Sequence, residues 1–277
     1  MPRKILMIDC ADEYGLIARV TGVCFQHRLN IIKNNEFVDN QQGRFFMRTE
    51  LEGEFDETKL LKELAEVLPK QNHMKLADAG RKRIVVLATK EAHCLGDLLM
   101  KTYYGALDVE IAAIVANYDT LAPLAAKFEV PFHHVCHQGL DRSAHERTML
   151  EIIAGYQPEY LVLAKYMRVL TPEFVEQYPN KIINIHHSFL PAFIGANPYR
   201  QAWERGVKII GATAHFVNNC LDEGPIIKQD VIPVDHSYSA ADMAKAGRDV
   251  EKSVLSRALA LVLNEQVVVY GNKTLVF

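Results

Sequence analysis

Apolar positions fall into strand-like and helix-like patterns from the start of the chain. Lys4 to Cys10 reads as a short apolar strand, and Gly15 to Leu29 carries Leu16, Val20, Val23 and Cys24 at helical spacing. Asn30 to Val38 and Arg44 to Leu51 read as strands around a turn at Asn40 to Gly43. Asp56 to Leu68 reads as an amphipathic helix and His73 to Asp78 as a last short strand. The order βαββαβ is that of a ferredoxin-like module, predicted for residues 1–80.

Gly80 and the basic run Arg81, Lys82, Arg83 interrupt the pattern, and a second domain is predicted over residues 84–277. Apolar strands at Ile84 to Ala88, Val109 to Ala116, Tyr160 to Ala164 and Lys181 to His186 alternate with helical stretches, which predicts a Rossmann-like α/β domain with a mostly parallel sheet. Ser143 with Glu146, and Ser239 with Asp242, have the spacing of capping boxes, and Thr171 with Pro172 that of a helix start. Tyr199 and Trp203 read as packing residues.

With 277 residues, 49% hydrophobic and 23% charged, the chain can bury one or two cores, which excludes disordered and fibrous classes. A net charge of -3 gives no general attraction to phosphate backbones or anionic lipid, so neither nucleic acid nor membrane is an expected partner. The five cysteines are widely spaced with no Cys-x-x-Cys pair, the apolar stretch before Asp9 is too short for a signal-peptide core, so none is expected, and no 18 apolar residues run together. A cytoplasmic location is expected.

The stretch richest in chemistry ends the strand Lys181 to His186. Asn184 and His186, two apart, share one face at the carboxyl end of a parallel strand, where open α/β sheets place their sites. An amide and an imidazole there suit a carbonyl oxygen; alternatively, they satisfy nearby backbone groups. The loop Asn218 to Pro225, after the strand Gly211 to Val217, can return a carboxylate over the sheet edge. His133, His134 and His137, with His145 beyond, make no complete ligand set at a familiar spacing, so no metal is expected.

Asn184 and His186, then Ser188, Leu190 and Pro191, then Leu221, Asp222, Gly224 and Pro225 spell Asn-x-His, Ser-x-Leu-Pro and Leu-Asp-x-Gly-Pro. This resembles the folate-dependent formyltransferase fold shared by glycinamide ribonucleotide and methionyl-tRNA formyltransferases. Within that superfamily the chain is most similar, over essentially its whole length, to the formyltetrahydrofolate deformylases. The resemblance implies hydrolysis of 10-formyltetrahydrofolate to formate and tetrahydrofolate, a step that supplies formate for purine synthesis and balances one-carbon folate pools. It implies that Asn184, His186 and Asp222 are catalytic, that Arg142, Met167, Arg168, Val169, Leu170 and Asn218 bind folate, and that His187 supports His186. No cofactor beyond the folate substrate is implied.

The amino-terminal module is similar to an ACT domain, which implies regulation by an amino-acid effector and pairing into a homodimer or higher homo-oligomer. The Asp-Arg-Pro-Gly usual after its first strand is Asp12, Glu13, Tyr14, Gly15 here. Thr89 to Gly96 lacks the Gly-rich character of a phosphate cradle, and His187 stands where the transferases commonly carry proline. Both differences favour water as acceptor. Cis geometry is expected before Pro191. Two other readings stay open: a folate-binding regulator without turnover, and formyl transfer to an unidentified amine.

Overall fold

The computed structural model describes residues 2–192 and 197–277. Backbone contacts divide them into two units. Residues 2–80 group with 264–266 and 277, and residues 81–263 group with 267–276.

The first unit contains β1 (Arg3–Ala11), α1 (Leu16–Gln26), β2 (Asn30–Asp39), β3 (Arg44–Glu52), α2 (Glu57–Val67) and β4 (Asn72–Asp78). Among the described residues these strands form an antiparallel sheet in the order β2-β3-β1-β4. Gly15, at φ 79, turns the chain into α1, and Asp56 caps α2 by accepting from the N–H of Lys59 at 3.0 Å. Leu6, Ile8, Val20, Met47, Leu60 and Leu64 lie together in its core. The return of 264–266 to this unit departs from the expected block 84–277. Buried Arg48 accounts for it, donating to the carbonyls of Glu265 and Asn264 at 2.8 Å each, because a guanidinium out of water needs every available acceptor.

The second unit contains β5 (Lys82–Ala88), α3 (His93–Tyr103), β6 (Val109–Ala116), α4 (Ala122–Lys127), β7 (Phe132–His134), α5 (Arg142–Tyr156), β8 (Tyr160–Ala164) and α6 (Pro172–Val175). It continues through β9 (Ile182–His186), α7 (Pro198–Arg205), β10 (Ile209–Phe216), β11 (Ile226–Pro233), α8 (Ala240–Leu263) and the hairpin β12 (Val267–Tyr270) and β13 (Lys273–Val276). The large sheet runs β11-β10-β9-β8-β5-β6-β7 among the described residues. β7, β6, β5, β8 and β9 are parallel, and β10 and β11 are antiparallel additions at one edge.

Both faces of this sheet are covered, so its strands read as continuous apolar runs. Ile84, Val86 and Ala88 of β5 pack on the face that includes Leu255, Ala258 and Leu259 of α8. Val85 and Leu87 point the other way, into the face with Met149 and Ile153 of α5. The chain winds outward from β5 to β7, then returns to place β8 on the opposite side of β5. That reversal leaves a crevice at the carboxyl ends of the strands.

Ser239 and Asp242 form the expected reciprocal cap at the start of α8, and Thr171 caps α6 ahead of Pro172. The cap expected from Ser143 and Glu146 is not formed. Asp141 takes that place by accepting from the N–H of Ala144 at 2.7 Å, which frees Glu146 to turn inward.

Candidate functional site

β9 ends at His186, with β8 on one side and β10 on the other. Ile183 and Ile185 face α8, so the intervening positions Asn184 and His186 face the crevice. In the antiparallel register Asn184 lies opposite His215, and His186 lies opposite Thr213.

The His215 ring stands 2.9 Å from the carbonyl of Phe216 through Nδ1, and 3.2 Å from Asn184 Nδ2 through Nε2. A carbonyl only accepts, so Nδ1 carries the proton. Burial disfavours the charged ring and lowers the His215 pKa, leaving Nε2 as an acceptor for the Asn184 amide. His215 was not singled out in the sequence.

After β10 the chain turns through Asn218 and Cys220, and the side chain of Asn218 accepts from the N–H of Cys220 at 3.0 Å. Asp222 follows with φ 58, a left-handed conformation that asparagine and aspartate tolerate better than most residues. The loop closes at Gly224, where a Cβ would sit 1.8 Å from the carbonyl oxygen of Phe216. Only glycine permits that approach. The Asp222 carboxylate thereby comes 3.2 Å from Nδ1 of His186 and 3.8 Å from Nε2 of His215. Burial alone would raise its pKa, but the contact with His186 and the surrounding imidazoles pull it below the ordinary value of 3.8.

Nε2 of His186 is buried and has no hydrogen-bond partner among the described residues. His187, next in the chain, is a neutral ring: burial, with Lys165 and His186 nearby, pushes its pKa down to about 4. Beyond it, Thr213 Oγ1 donates to the carbonyl of Ser188 at 2.9 Å and accepts from the N–H of Leu190 at 3.1 Å. This fixes the turn leaving β9. The Leu190–Pro191 bond within it is cis, as expected.

The opposite wall is the segment after β8. Its ends are tied: the N–H of Met167 donates to Thr89 Oγ1 at 2.9 Å, and that of Thr171 donates to Glu146 at 3.1 Å. Between these ties Val169 is exposed and Leu170 is buried, and Tyr166, just before the first tie, is buried as well. One reading from the sequence changes here: Glu146 anchors the segment rather than capping α5. Tyr199 packs as expected, against the cluster of Ala202, Ile210, Val234 and Met243, and its hydroxyl also donates to Glu251 at 2.6 Å.

A cavity of about 430 Å³ joins these parts. Asn184, His186, His187, Met167, Arg168, Val169, Leu170, Asn218 and Asp222 all line it, as do His215 and Lys165, which the sequence did not mark. Arg142 is not brought there. It is the first residue of α5, exposed to solvent, and outside the cavity lining.

His133, His134, His137 and His145 all lie outside this cavity's lining. His133 bonds the Tyr156 hydroxyl at 2.7 Å, and His145 donates to the carbonyl of Val135 at 2.9 Å. Among the described residues, the one group of three metal-capable side chains lying within 4.8 Å of one another is His93, Cys94 and Glu251. Its carboxylate already receives His93, Tyr199 and Lys165. A cation there would have to displace the lysine.

Both units have counterparts among known proteins. Residues 82–259 match the formyl transferase family model and residues 4–69 match the ACT domain model. The chain is 64% identical over 276 residues to the formyltetrahydrofolate deformylase of Escherichia coli O6:H1 strain CFT073, covering 100% of this chain and 99% of that protein. It is similar to the crystal structure of the formyltetrahydrofolate deformylase from Pseudomonas syringae pv. tomato DC3000, with TM-score 0.95 and 39% identity, over 100% of this chain and 95% of the other. Glycinamide ribonucleotide transformylase 1 from Symbiobacterium toebii is similar over 71% of this chain and 94% of its own, with TM-score 0.68 and 30% identity. An ACT module, a formyl transferase domain and full-length similarity at this level together place the chain in the formyltetrahydrofolate deformylase family.

Proposed function

We propose that the chain hydrolyses 10-formyltetrahydrofolate to formate and tetrahydrofolate, supplying formate for purine synthesis and balancing one-carbon folate pools. One observation carries the mechanism: the buried Nε2 of His186, without a partner among the described residues, on a ring whose Nδ1 meets the Asp222 carboxylate, in a cavity walled by Tyr166–Leu170.

Asp222 orients a water molecule and takes its proton as the oxygen attacks the formyl carbon. The carbonyl electron pair moves onto oxygen. The oxyanion accepts hydrogen bonds from His186 Nε2 and from the Asn184 amide, whose second N–H is not committed to His215. Proton return to N10 through the same cluster lets the C–N10 bond break, releasing tetrahydrofolate and formate. The pterin rests on the segment after β8, where the N–H groups of Arg168, Val169 and Leu170 have no protein partner among the described residues.

Formate release without any added amine tests the reaction. Asp222→Asn should lower its rate by roughly 100-fold or more while keeping folate binding. Near-normal turnover would remove Asp222 from the mechanism. Loss of the formyl group only when an amine is supplied would favour transfer over hydrolysis.

The ACT unit is proposed to take an amino-acid effector and to pair with a second copy. Support for pairing comes from β2, an edge strand that exposes Ile32 and Phe37. Light scattering showing only monomer at micromolar concentration would refute it, and a flat rate response to amino acids would refute the effector. A cytoplasmic location is proposed from the five free cysteines, and none of the described helices is long and apolar enough to cross a membrane.

A further inference from the structure

We infer that Glu251 is a positioning residue for the substrate-binding segment, acting through Lys165 rather than by touching folate. The inference rests on the folate reading of Tyr166–Leu170. Lys165 follows β8 directly and opens that segment with φ 60, a left-handed backbone that a lysine holds only when its surroundings enforce it. Its side chain is 4% exposed, and Nζ lies 3.2 Å from Oε2 of Glu251. The other nearby carboxylate, Glu91, is 4.0 Å away and 44% exposed. Glu251 is therefore the buried counter-charge that keeps the ammonium in place.

Glu251 is itself held from several sides. It is 1% exposed, and besides Lys165 it receives Nε2 of His93 at 2.7 Å and the Tyr199 hydroxyl at 2.6 Å. Burial opposes its ionisation, yet these partners bring the carboxyl down to about 2. Gly247, one turn earlier on α8, leaves room for Tyr199; a Cβ there would lie 2.0 Å from the hydroxyl oxygen.

Two routes lead from this carboxylate to the site. Lys165 fixes the turn out of β8, and Thr89 holds the Met167 N–H two residues on. The Tyr199 ring lies 6.1 Å from that of His187, tilted by 43°, and the His187 ring lies 5.1 Å from that of His186. Lys165, Met167 and His187 line both the folate cavity and a second cavity of about 510 Å³, which Glu251 also lines. Those three residues are the partition between the cavities, and Glu251 braces it from the far side.

The test uses the full chain as wild type, Glu251→Gln, Lys165→Met and the double variant. Kd for tetrahydrofolate, KM and kcat for formate release, and Tm are measured on each. Each single variant should raise Kd and KM about tenfold while kcat changes by less than about threefold. The double variant replaces a buried ion pair with a neutral one and should recover Tm, yet its Kd should stay raised because the brace is gone. A folded Glu251→Gln with unchanged Kd, or a double variant whose Kd returns to the wild-type value along with Tm, overturns the inference. If neither single variant folds, the double variant decides by the same criterion. Wild-type protein that binds tetrahydrofolate but releases no formate would sink the hydrolase reading, while the Kd comparison would still judge the role of Glu251.

Discussion

Nε2 of His215 accepts the Asn184 amide across 3.2 Å because the Nδ1 proton of the same ring is committed to the Phe216 carbonyl. This relationship sets which end of the amide points at the ring and leaves one N–H of Asn184 for a substrate oxygen. His215→Leu removes the acceptor and lets the amide rotate. If Asn184 is the oxyanion donor of the proposed mechanism, kcat should fall about tenfold to 100-fold with KM nearly unchanged, because such a donor acts mainly in the transition state. Steady-state kinetics of formate release check this, and an unaltered kcat would show that Asn184 needs no such support.

Gly224→Ala places a methyl group against the Phe216 carbonyl, the acceptor for His215 Nδ1, and 3.4 Å from that nitrogen itself. Backbone must move to relieve the contact, and Asp222, two residues earlier, moves with it. The variant should fold, since the loop lies outside the sheet, but lose roughly 100-fold in kcat, as when a positioned acid-base group is misplaced. Comparison with Asp222→Asn provides the check: adding Gly224→Ala to Asp222→Asn should slow it further by much less than the roughly 100-fold that Gly224→Ala costs the wild type, the remainder acting through His215 and Asn184.

Much of this site was legible because its residues sit in short local patterns. Asn184 and His186 are two apart on one strand, Asp222 sits in a turn-rich loop, and the βαββαβ periodicity gave the first unit nearly its observed strand limits. His215 was hidden because β10 is buried on both faces and reads as an apolar run. Its partnership with Asn184 exists only through the β9–β10 register. Glu146 satisfied a local capping pattern that Asp141 fulfils instead, so tertiary demand at Thr171 overrode the local signal. Lys165 and Glu251 lie 86 positions apart in sequence, and no spacing rule links a strand end to the middle of α8.

The segment after β8 supplies the next prediction. Val169 is 47% exposed, its N–H has no protein partner among the described residues, and it lies between the ties at Met167 and Thr171. If its backbone recognises the pterin, Val169→Pro removes a donor while Val169→Ala retains it. Tetrahydrofolate binding should weaken about tenfold in the proline variant and less than about threefold in the alanine variant, the loss expected for one hydrogen bond to a bound ligand. Equal Kd values for the two variants would count against backbone recognition.

Acid stability follows from His187. Its pKa is about 4 in the folded protein against 6.5 for an ordinary histidine, with burial as the main cause and Lys165 and His186 adding to it. Above pH 6.5 the ring is neutral in both states and contributes no pH dependence. Between 6.5 and 4 the unfolded chain takes up a proton that the folded chain refuses, so stability falls as pH falls; below 4 both states are protonated and the slope from this group vanishes. His187→Gln should therefore lose less Tm than the wild type on going from pH 7 to pH 4. Buried His215, whose pKa is also lowered, keeps part of the slope in the variant, so the curve flattens without becoming level. Thermal melts at half-unit pH intervals measure the difference, and superimposable wild-type and variant curves would show that His187 is not the group being titrated.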